Sequence, residues 1–282
     1  MRVAIFGATG LLGKALMQEW KGDEVVGLGS ADADIRDEQR VVNAVAQIRP
    51  DWIVLAAAFT DVDGCESNAE RAFAVNRDGA LIVAKAAKQF ASKLLFVSTD
   101  YVFDGKKTEP YETTDPRAPR SVYGKSKADA EVQLLEILPE VCIMRTSWIF
   151  GVGGKCFPDT ILKLAENRSE LDVVNDQCGC PTYTVDLSRA ILQLCRANAK
   201  GIVHVTNSGE CTWYDFALEI IAARELPTVV RPTTSDKFVR PAERPKYSVL
   251  SSASAHQYRV DMPGWRDALH RYLAEREANT VK

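Results

Sequence analysis

The stretch Ser121–Lys127 holds the side chains with the clearest chemical use, because it places Tyr123 four residues before Lys127. In a helix this spacing puts both side chains on one face. A free phenol titrates near about 10, and a nearby ammonium group lowers that pKa. We therefore expect Tyr123 to act as a proton donor or acceptor, with its pKa lowered by Lys127. Taken alone, the same pair also fits a surface tyrosine and a solvated lysine.

A second chemical group is the hydroxyl of Thr99, which follows the apolar run 94–97. That run predicts a buried strand, and parallel sheets bind their ligands beyond the carboxyl ends of the strands. Thr99 would then lie where it can donate a hydrogen bond to a substrate oxygen. Polar residues at this position also serve simply as turn formers.

The third candidate is a glycine-rich loop between the first predicted strand and the first predicted helix, with Gly7, Gly10 and Gly13 at three-residue spacing. A dinucleotide-binding fingerprint requires this strand and helix context. Gly7 permits a tight turn, Gly10 lets the backbone approach a pyrophosphate, and Gly13 allows close packing of helix against strand. The anion would rest on the helix N-terminus. We predict nucleotide binding at this loop.

The end of the second predicted strand bears on which nicotinamide cofactor is used. An acid there would bind the ribose hydroxyls of NAD and repel the extra phosphate of NADP. The stretch 27–30 carries no acid, although Asp32 and Asp34 follow closely, and no arginine adjoins it. We predict that the protein uses NADPH and tolerates NADH.

The elements that position these groups alternate along the chain. Short apolar runs alternate with amphipathic stretches, which predicts an α/β fold with a Rossmann-type doubly wound parallel sheet. The predicted strands are 3–6, 25–28, 52–57, 94–97 and 141–144, and the predicted helices are 11–20, 38–48, 69–89 and 121–138. Beyond about residue 150 the pattern loosens. We expect residues 1–150 to form an NAD(P)-binding domain and residues 151–282 to form a smaller substrate-binding region interleaved with it.

Composition narrows the class of protein. The 282 residues are 46% hydrophobic and 26% charged with a net charge of −3, which is typical of a globular protein without global attraction for nucleic acid or membranes. No apolar run is long enough to span a bilayer and no signal peptide is recognisable, so we expect a cytoplasmic protein. Seven scattered cysteines and three separated histidines form no zinc pattern. We expect reduced thiols and no metal site.

The order of glycine loop, strand-end hydroxyl and Tyr-x-x-x-Lys is that of the short-chain dehydrogenase/reductase superfamily. Further segments resemble the dTDP-4-dehydrorhamnose reductase family, and the resemblance covers nearly the whole chain. These segments are Ala57–Asp63, Ser98–Gly105, Arg145–Trp148, Asp176–Thr182, Arg244–Leu250 and Trp265–Leu269. The resemblance implies NADPH-dependent reduction of the C4 ketone of dTDP-4-dehydro-L-rhamnose to dTDP-L-rhamnose. Its substrate class would be a dTDP-linked 4-keto-6-deoxy sugar.

The resemblance also implies roles for individual residues. As catalytic residues, Tyr123 would supply a proton, Thr99 would hold the ketone oxygen, and Lys127 would bind the nicotinamide ribose. The cofactor-binding residues would be Gly7, Gly10, Leu11, Leu12, Gly13, Asp34, Ile35, Ala58, Phe59, Thr60, Val97, Tyr123 and Lys127. The substrate-binding residues would be Thr60, Val62, Thr99, Asp100, Tyr123 and Trp148.

Two alternatives stay open. The chain could reduce another nucleotide-linked 4-keto-6-deoxy sugar, or it could resemble the non-catalytic, NADP-binding regulatory subunit of methionine adenosyltransferase. A 4,6-dehydratase is less favoured, because such enzymes usually have an acid pair beside the strand-four hydroxyl, whereas Thr99 is followed by the single acid Asp100. Phe59 in place of a polar aromatic residue, and Cys178 and Cys180 around the glycine of a Gln-x-Gly-x-Pro-Thr motif, depart from the family pattern. A homodimer is a family-level expectation.

Overall fold

Strands and helices alternate over residues 1–280, the part of the chain that the computed structural model describes. The strands are β1 (Arg2–Phe6), β2 (Glu24–Leu28), β3 (Trp52–Leu55), β4 (Lys93–Thr99), β5 (Cys142–Thr146), β6 (Ile149–Phe150), β7 (Glu170–Val174), β8 (Cys178–Gly179), β9 (Thr182–Tyr183), β10 (Gly201–His204), β11 (Cys211–Thr212) and β12 (Val229–Thr233). The helices are α1 (Leu11–Glu19), α2 (Glu38–Ile48), α3 (Val62–Ser67), α4 (Ala69–Phe73), α5 (Ala80–Gln89), α6 (Val122–Ile137), α7 (Phe157–Ala165), α8 (Thr184–Arg196), α9 (Trp213–Ala223), α10 (Ala253–His256) and α11 (Trp265–Thr280). Short 3₁₀ turns cover Asp100–Val102 and Ser235–Lys237.

A parallel sheet forms the centre of the molecule. Within residues 1–280 it has six strands in the order β10-β5-β4-β3-β1-β2. Alternate side chains of β1 enter opposite layers: Val3 and Ile5 pack with α1 and α8, whereas Ala4 and Phe6 pack with α2, α5 and α6. Helices therefore cover both faces, which is why the strands are apolar throughout. The predicted Rossmann-type doubly wound parallel sheet is confirmed.

After residue 150 the chain returns to the central sheet of the first predicted part. Strand β10 comes from beyond residue 150 and yet pairs with β5 in the central sheet. The other strands that follow β5 form small two-stranded pairs, β7 with β12, β8 with β11, and β6 with β9. Phe216, Trp265 and Tyr272 centre a separate apolar cluster there. The chain thus returns to the central sheet after residue 150, and the division into two interleaved parts at that residue stays a prediction.

The helix predicted over 69–89 is divided in the structure. Helix α4 ends at Phe73, a π-helical turn covers Ala74–Gly79, and α5 begins at Ala80. The π turn carries Asn76, whose side chain bonds to backbone outside the helix, as described below. Strand β3 ends at Leu55, two residues before its predicted end.

Three further features of residues 1–280 concern membrane-spanning helices, metal-binding side chains and the state of the cysteines. None of the helices in residues 1–280 is long and apolar enough to cross a membrane. Over the same residues, no group of three or more His, Cys, Asp or Glu side chains could hold a metal ion. All seven cysteines are free, and six of them are buried.

Candidate active site

Helix α6 carries Tyr123 and Lys127, and its start is fixed by a side-chain cap. The Oγ of Ser121 accepts a hydrogen bond from the amide of Gly124 at 3.1 Å. A Cβ on Gly124 would lie 2.2 Å from the carbonyl oxygen of Tyr101. Glycine therefore lets α6 approach the turn after β4, where Thr99 lies.

Tyr123 meets Thr99 at the carboxyl end of β4, within hydrogen-bonding reach of its side chain. The ring of Tyr101 packs edge-on against Tyr123 with the ring centroids 5.7 Å apart. Burial raises the pKa of Tyr123, the bond with Thr99 opposes this, and the charge of Asp100 adds to the increase. The expectation that Lys127 lowers the pKa of Tyr123 is therefore wrong for this structure, because desolvation dominates.

The ammonium group of Lys127 points into the sheet. Its Nζ donates a hydrogen bond to the carbonyl oxygen of Val97 at 2.7 Å and lies 3.8 Å from the centroid of the Phe96 ring. Burial lowers the pKa of Lys127 to about 7, and the carboxylate of Glu131 opposes that change. At neutral pH this lysine can therefore exist in either protonation state.

Thr99 lies beside a buried acid, Asp100. The Oγ1 of Thr99 donates to Oδ1 of Asp100 at 3.0 Å and accepts from the amide of Tyr101 at 3.2 Å. Within the described structure, Oδ2 of Asp100 is buried and has no hydrogen-bond partner. Burial raises the pKa of Asp100 to about 6, although contacts with Ser248 and Thr99 oppose it. The structure thus brings Thr99, Tyr123 and Asp100 to one point at the carboxyl edge of the sheet.

The predicted cofactor loop has the geometry that a pyrophosphate requires. Gly7 has φ +91°, and a Cβ there would lie 2.5 Å from the amide nitrogen of Ala57. A Cβ on Gly13 would lie 2.1 Å from the carbonyl oxygen of Gly7, so close packing needs glycine there too. Helix α1 starts after Gly10, and no side chain in residues 1–280 caps it. The amides of its first turn, which begins with Leu11 and Leu12, are therefore available to an anion.

The end of β2 differs from the sequence-based interpretation, because two arginines lie there. Arg40 donates hydrogen bonds to the carbonyl oxygens of Ala31 and Asp32. Arg36 forms a forked ion pair with Asp34, at 3.0 Å from Nε to Oδ1 and 2.5 Å from Nη2 to Oδ2. Hydrogen bonding to Arg36 lowers the pKa of Asp34 to about 2. The prediction that no arginine adjoins this strand end is wrong, because Arg36 lies two residues after Asp34 and α2 brings Arg40 back to Ala31 and Asp32.

Asn76 is a site residue that the sequence analysis missed. From the π turn, its Oδ1 accepts from the amide of Phe59 at 2.7 Å, and its Nδ2 donates to the carbonyl of Phe59 at 3.1 Å. The same Nδ2 donates to Oγ of Ser126 on α6 at 3.0 Å. Asn76 thus ties the predicted cofactor segment after β3 to the catalytic helix. An asparagine, a poor helix former, in the interior of the predicted helix 69–89 was the available signal.

The other predicted contacts after β2 and β3 differ in exposure. Ile35 is buried and packs against Gly79, so its side chain belongs to the core. Ala58 and Val62 are partly buried, and Thr60 is exposed at the surface of this loop. These residues lie at the carboxyl edge of the sheet, where Ala58 and Thr60 follow β3.

Trp148 forms a stacked pair with a second tryptophan. Its ring lies on that of Trp213 with centroids 3.4 Å apart and planes 6° apart. Trp148 has φ +45°, which is unusual for a bulky residue. A Cβ on Gly179 would lie 2.6 Å from its indole, so glycine makes room for the ring. Trp148 as a substrate contact stays a prediction, and Trp213 is a further aromatic residue at this position that was not predicted.

A cavity of about 1620 Å³ lies beside these groups and reaches Tyr101 and Trp213. Its walls come from β7, α7, the loop 104–108 and the segment 235–247. Cationic side chains in these walls are Lys106, Lys107, Arg168, Arg240, Arg244 and Lys246. The same walls carry the acidic side chains Asp104, Glu170, Asp172, Asp236 and Glu243. The cavity is therefore mixed in charge, and with its aromatic rings it suits a polar ligand that also carries an apolar or ring-shaped part.

Comparison with known proteins identifies the family. Residues 1–278 match the family described as RmlD substrate binding domain. A dTDP-4-dehydrorhamnose reductase of Streptomyces griseus is 39% identical over 278 residues, covering 95% of this chain and 91% of the relative. The chain belongs to the dTDP-4-dehydrorhamnose reductase family, a family of oxidoreductases.

Two further relatives support this membership. The spore coat polysaccharide biosynthesis protein SpsK of Bacillus subtilis is 40% identical over 279 residues, which cover 98% of each chain. The crystal structure of dTDP-4-dehydrorhamnose reductase from Bacillus anthracis, in complex with NADP, has 36% sequence identity and a TM-score of 0.95. It covers 97% of this chain and 99% of its own. The predicted family resemblance is confirmed.

Behind the candidate site of this family member, a buried carboxylate joins α6 to two strands. Glu131 accepts hydrogen bonds from Oγ of Ser98 at 2.6 Å, from Nε and Nη2 of Arg145 at 2.9 and 2.6 Å, and from Nε of Arg117 at 2.6 Å. Burial alone would raise the pKa of Glu131, but Arg145, Ser98 and Arg117 together lower it. Ser98 directly precedes Thr99, so the network holds β4 against the catalytic helix. No local sequence pattern indicates this network, because its members come from four separate segments.

Proposed function

We propose that the protein reduces the C4 ketone of dTDP-4-dehydro-L-rhamnose to dTDP-L-rhamnose with NADPH. The observation that carries this proposal is the meeting of Tyr123 and Thr99 at the carboxyl end of β4, in a chain of the reductase family. A hydroxyl that can orient a carbonyl oxygen and a phenol that can protonate it are the two groups that ketone reduction requires.

The proposed proton transfer runs through Tyr123. NADPH, when bound, supplies the hydride to the carbonyl carbon. As negative charge develops on the carbonyl oxygen, Thr99 turns its single hydroxyl proton from Asp100 to that oxygen, and Tyr123 delivers its own proton. The raised pKa of Tyr123 keeps the phenol protonated at neutral pH, which is the state that a proton donor needs. An alkoxide is a stronger base than a phenolate, so the transfer remains favourable.

Lys127 is proposed to hold the nicotinamide ribose. A lysine ammonium has three donors, and the carbonyl of Val97 takes one of them, which leaves two for ribose hydroxyls. The buried bond to Val97 fixes the direction of the side chain. Binding and orientation, rather than a lowered Tyr123 pKa, are then its contribution.

The first turn of α1 and the charged side chains after β2 support a preference for NADPH over NADH. The uncapped first turn of α1 fits a pyrophosphate, and the relative from Bacillus anthracis was crystallised with NADP. Arg40 adds positive charge near the end of β2, where the extra phosphate of NADPH would lie, whereas the charge of Arg36 is balanced by Asp34. We expect a higher kcat/KM with NADPH than with NADH when both are measured on the same sugar nucleotide. Turnover with NADH alone would contradict this assignment.

The substrate is proposed to occupy the large cavity, with its sugar towards Thr99 and Tyr123. Trp148, stacked on Trp213, offers an apolar face for the sugar or base. Among its mixed charges, the cations Lys106, Arg168 and Lys246 would contact the diphosphate of a dTDP-linked sugar. A homodimer and a cytoplasmic location stay predictions.

The direct test is NADPH oxidation with dTDP-4-dehydro-L-rhamnose, followed by identification of the sugar formed. Tyr123→Phe should lower kcat by about 10²-fold or more while leaving the Kd for NADPH close to wild type. Full activity of this variant would remove Tyr123 as the proton donor. Formation of the other C4 epimer, or turnover only of a different 4-keto-6-deoxy sugar nucleotide, would keep the reaction class and change the substrate. No turnover of any sugar nucleotide, with co-purification of a synthetase subunit, would favour a regulatory protein.

A further inference from the structure

One wall of the large cavity is a loop segment, residues 235–245, which we name the strap. Phe238 and Val239 at its middle line the cavity and are 45% and 91% exposed. At its start, the amide of Ser235 donates to both carboxylate oxygens of Asp176, each at 3.0 Å, and Oγ of Ser235 donates to Oδ2 at 2.7 Å. The start of the strap is therefore fixed to the second half of the chain.

The other end of the strap is held by Asp63, which lies on α3 in the first half. Nη1 and Nη2 of Arg244 donate to Oδ1 and Oδ2 of Asp63 at 2.6 and 2.7 Å, in a two-point fork. The amide of Ala242 donates to Oδ1 at 3.2 Å, and Nη1 of Arg240 donates to Oδ2 at 3.4 Å. Four donors of the strap thus converge on one carboxylate. Hydrogen bonding to Arg244 lowers the pKa of Asp63 to about 2, so the carboxylate is ionised at neutral pH.

This end of the strap also lies against the catalytic region. Arg244 is within hydrogen-bonding reach of Tyr101, whose ring packs on that of Tyr123. A Cβ on Gly105, in the loop after β4, would lie 2.5 Å from the Cα of Pro245. The position of the strap is therefore set relative to the groups that would protonate the substrate.

We propose that Asp63 is a positioning residue for the nucleotide-sugar pocket: it holds the strap in place as a preformed wall, through Arg244, Ala242 and Arg240. This inference rests on the proposed function, because it assigns the cavity to the sugar nucleotide. The two oxygens of Asp63 are occupied by strap donors, so the residue acts through the strap and not by contact with substrate. Because this wall is ordered before binding, the binding free energy is not reduced by the entropy cost of ordering a loop.

The test compares Asp63→Asn with wild type and with Asp267→Asn. Asp267 is 62% exposed and pairs with Arg271 on α11, so this control removes a carboxylate from an ion pair away from the strap. Hydrogen exchange of the strap amides, the Kd of dTDP, the Kd of NADPH, and steady-state kinetics are measured on all three proteins. For Asp63→Asn we expect faster exchange at Ala242 and a rise of about tenfold in both the dTDP Kd and the sugar-nucleotide KM. The kcat and the NADPH Kd should stay near wild type, and the control should match wild type.

A structural role alone would not separate KM from kcat in this way. Asp63→Glu keeps the charge and should bind dTDP more tightly than Asp63→Asn, which provides a second variant. The proposed role of Asp63 would be overturned by unchanged hydrogen exchange of the strap amides in Asp63→Asn, or by faster exchange with an unchanged Kd of dTDP. Either result would leave the reductase function in place. Weakened dTDP binding in a protein that reduces no sugar nucleotide would remove the reductase function and leave the role of Asp63. A wild-type protein that binds no dTDP would overturn the role of Asp63.

Discussion

Replacing Glu131 by glutamine should destabilise the protein strongly, although the two side chains have nearly the same shape. The carboxylate is fully buried and faces the guanidinium of Arg145, which is 1% exposed. Glutamine keeps one acceptor oxygen but turns an NH₂ group towards the donors of Arg145 and Arg117, which currently bond to Oε2 at 2.6 Å each. Arg145 would then be a buried cation without its counter-ion.

The expected loss of unfolding free energy follows from removing one partner of a buried ion pair. Breaking a buried ion pair from one side costs about 3–5 kcal/mol, whereas an exposed pair contributes about 0–1 kcal/mol. Since a domain is stable by only about 5–15 kcal/mol, the variant loses a large part of the total. The corresponding fall in Tm is on the order of 10 °C. Because the pKa of Glu131 lies below its ordinary 4.5 in the folded protein, the stabilisation is present above that pH and decreases as the pH falls.

Urea unfolding of wild type, Glu131→Gln and Glu140→Gln measures these differences. Glu140 pairs with Lys200 at the surface, where both side chains are more than half exposed, so its variant should unfold with wild-type free energy. Parallel melts below pH 4.5 should bring wild type and Glu131→Gln closer together. A loss below about 1 kcal/mol for Glu131→Gln at neutral pH would refute the reasoning, since it would mean that the network acts as a surface ion pair.

Two other substitutions test the close approach of α6 to β4 and the burial of Lys127. Gly124→Ala should cost about 1–3 kcal/mol and lower kcat, because its Cβ would lie 2.2 Å from the carbonyl oxygen of Tyr101 and push the helix away from Thr99; a fully active variant of unchanged Tm would count against this. Lys127→Met should abolish one pH dependence of stability. Burial lowers the pKa of Lys127 from 10.5 to about 7, so between these values the unfolded chain binds more protons than the folded one. The unfolding free energy of wild type, relative to Lys127→Met, should therefore rise with pH across this window, and a flat or falling difference in urea melts would disprove the burial effect.

Local signals in the sequence were sufficient for much of the fold. Helix α2 has the predicted bounds, 38–48, because Asp37 caps its start by accepting from the amide of Arg40 and Arg49 ends it in the left-handed region. Hydrophobic runs marked the first five strands of the sheet, since burial on both faces requires apolar residues throughout. The π turn at 74–79 was not predictable, because the composition of this stretch fits an ordinary helix.

The candidate site was predictable where chemistry depends on short spacing along one element. The Tyr123 and Lys127 pair, the glycines of the first turn and the hydroxyl of Thr99 each belong to a single local motif. The pKa of Tyr123 was not predictable, because its direction depends on how completely neighbouring segments exclude water. Arg40 was missed because only the fold shows that α2 brings it back to Ala31 and Asp32. Arg36 was visible in the sequence, since it lies two residues after its partner Asp34.

The sequence by itself determined the family, the order of elements and the residues with chemical potential, because these depend on patterns of neighbouring side chains. Only the tertiary structure decided which side chains from distant parts of the chain contact each other. Trp148 stacks on Trp213, and Asp63 holds Arg244, although each pair is far apart in the chain. Such contacts depend on where separate elements pack against each other, and no spacing within one element encodes that position. Burial follows from the same packing, so the tertiary structure also decides which groups carry a shifted pKa.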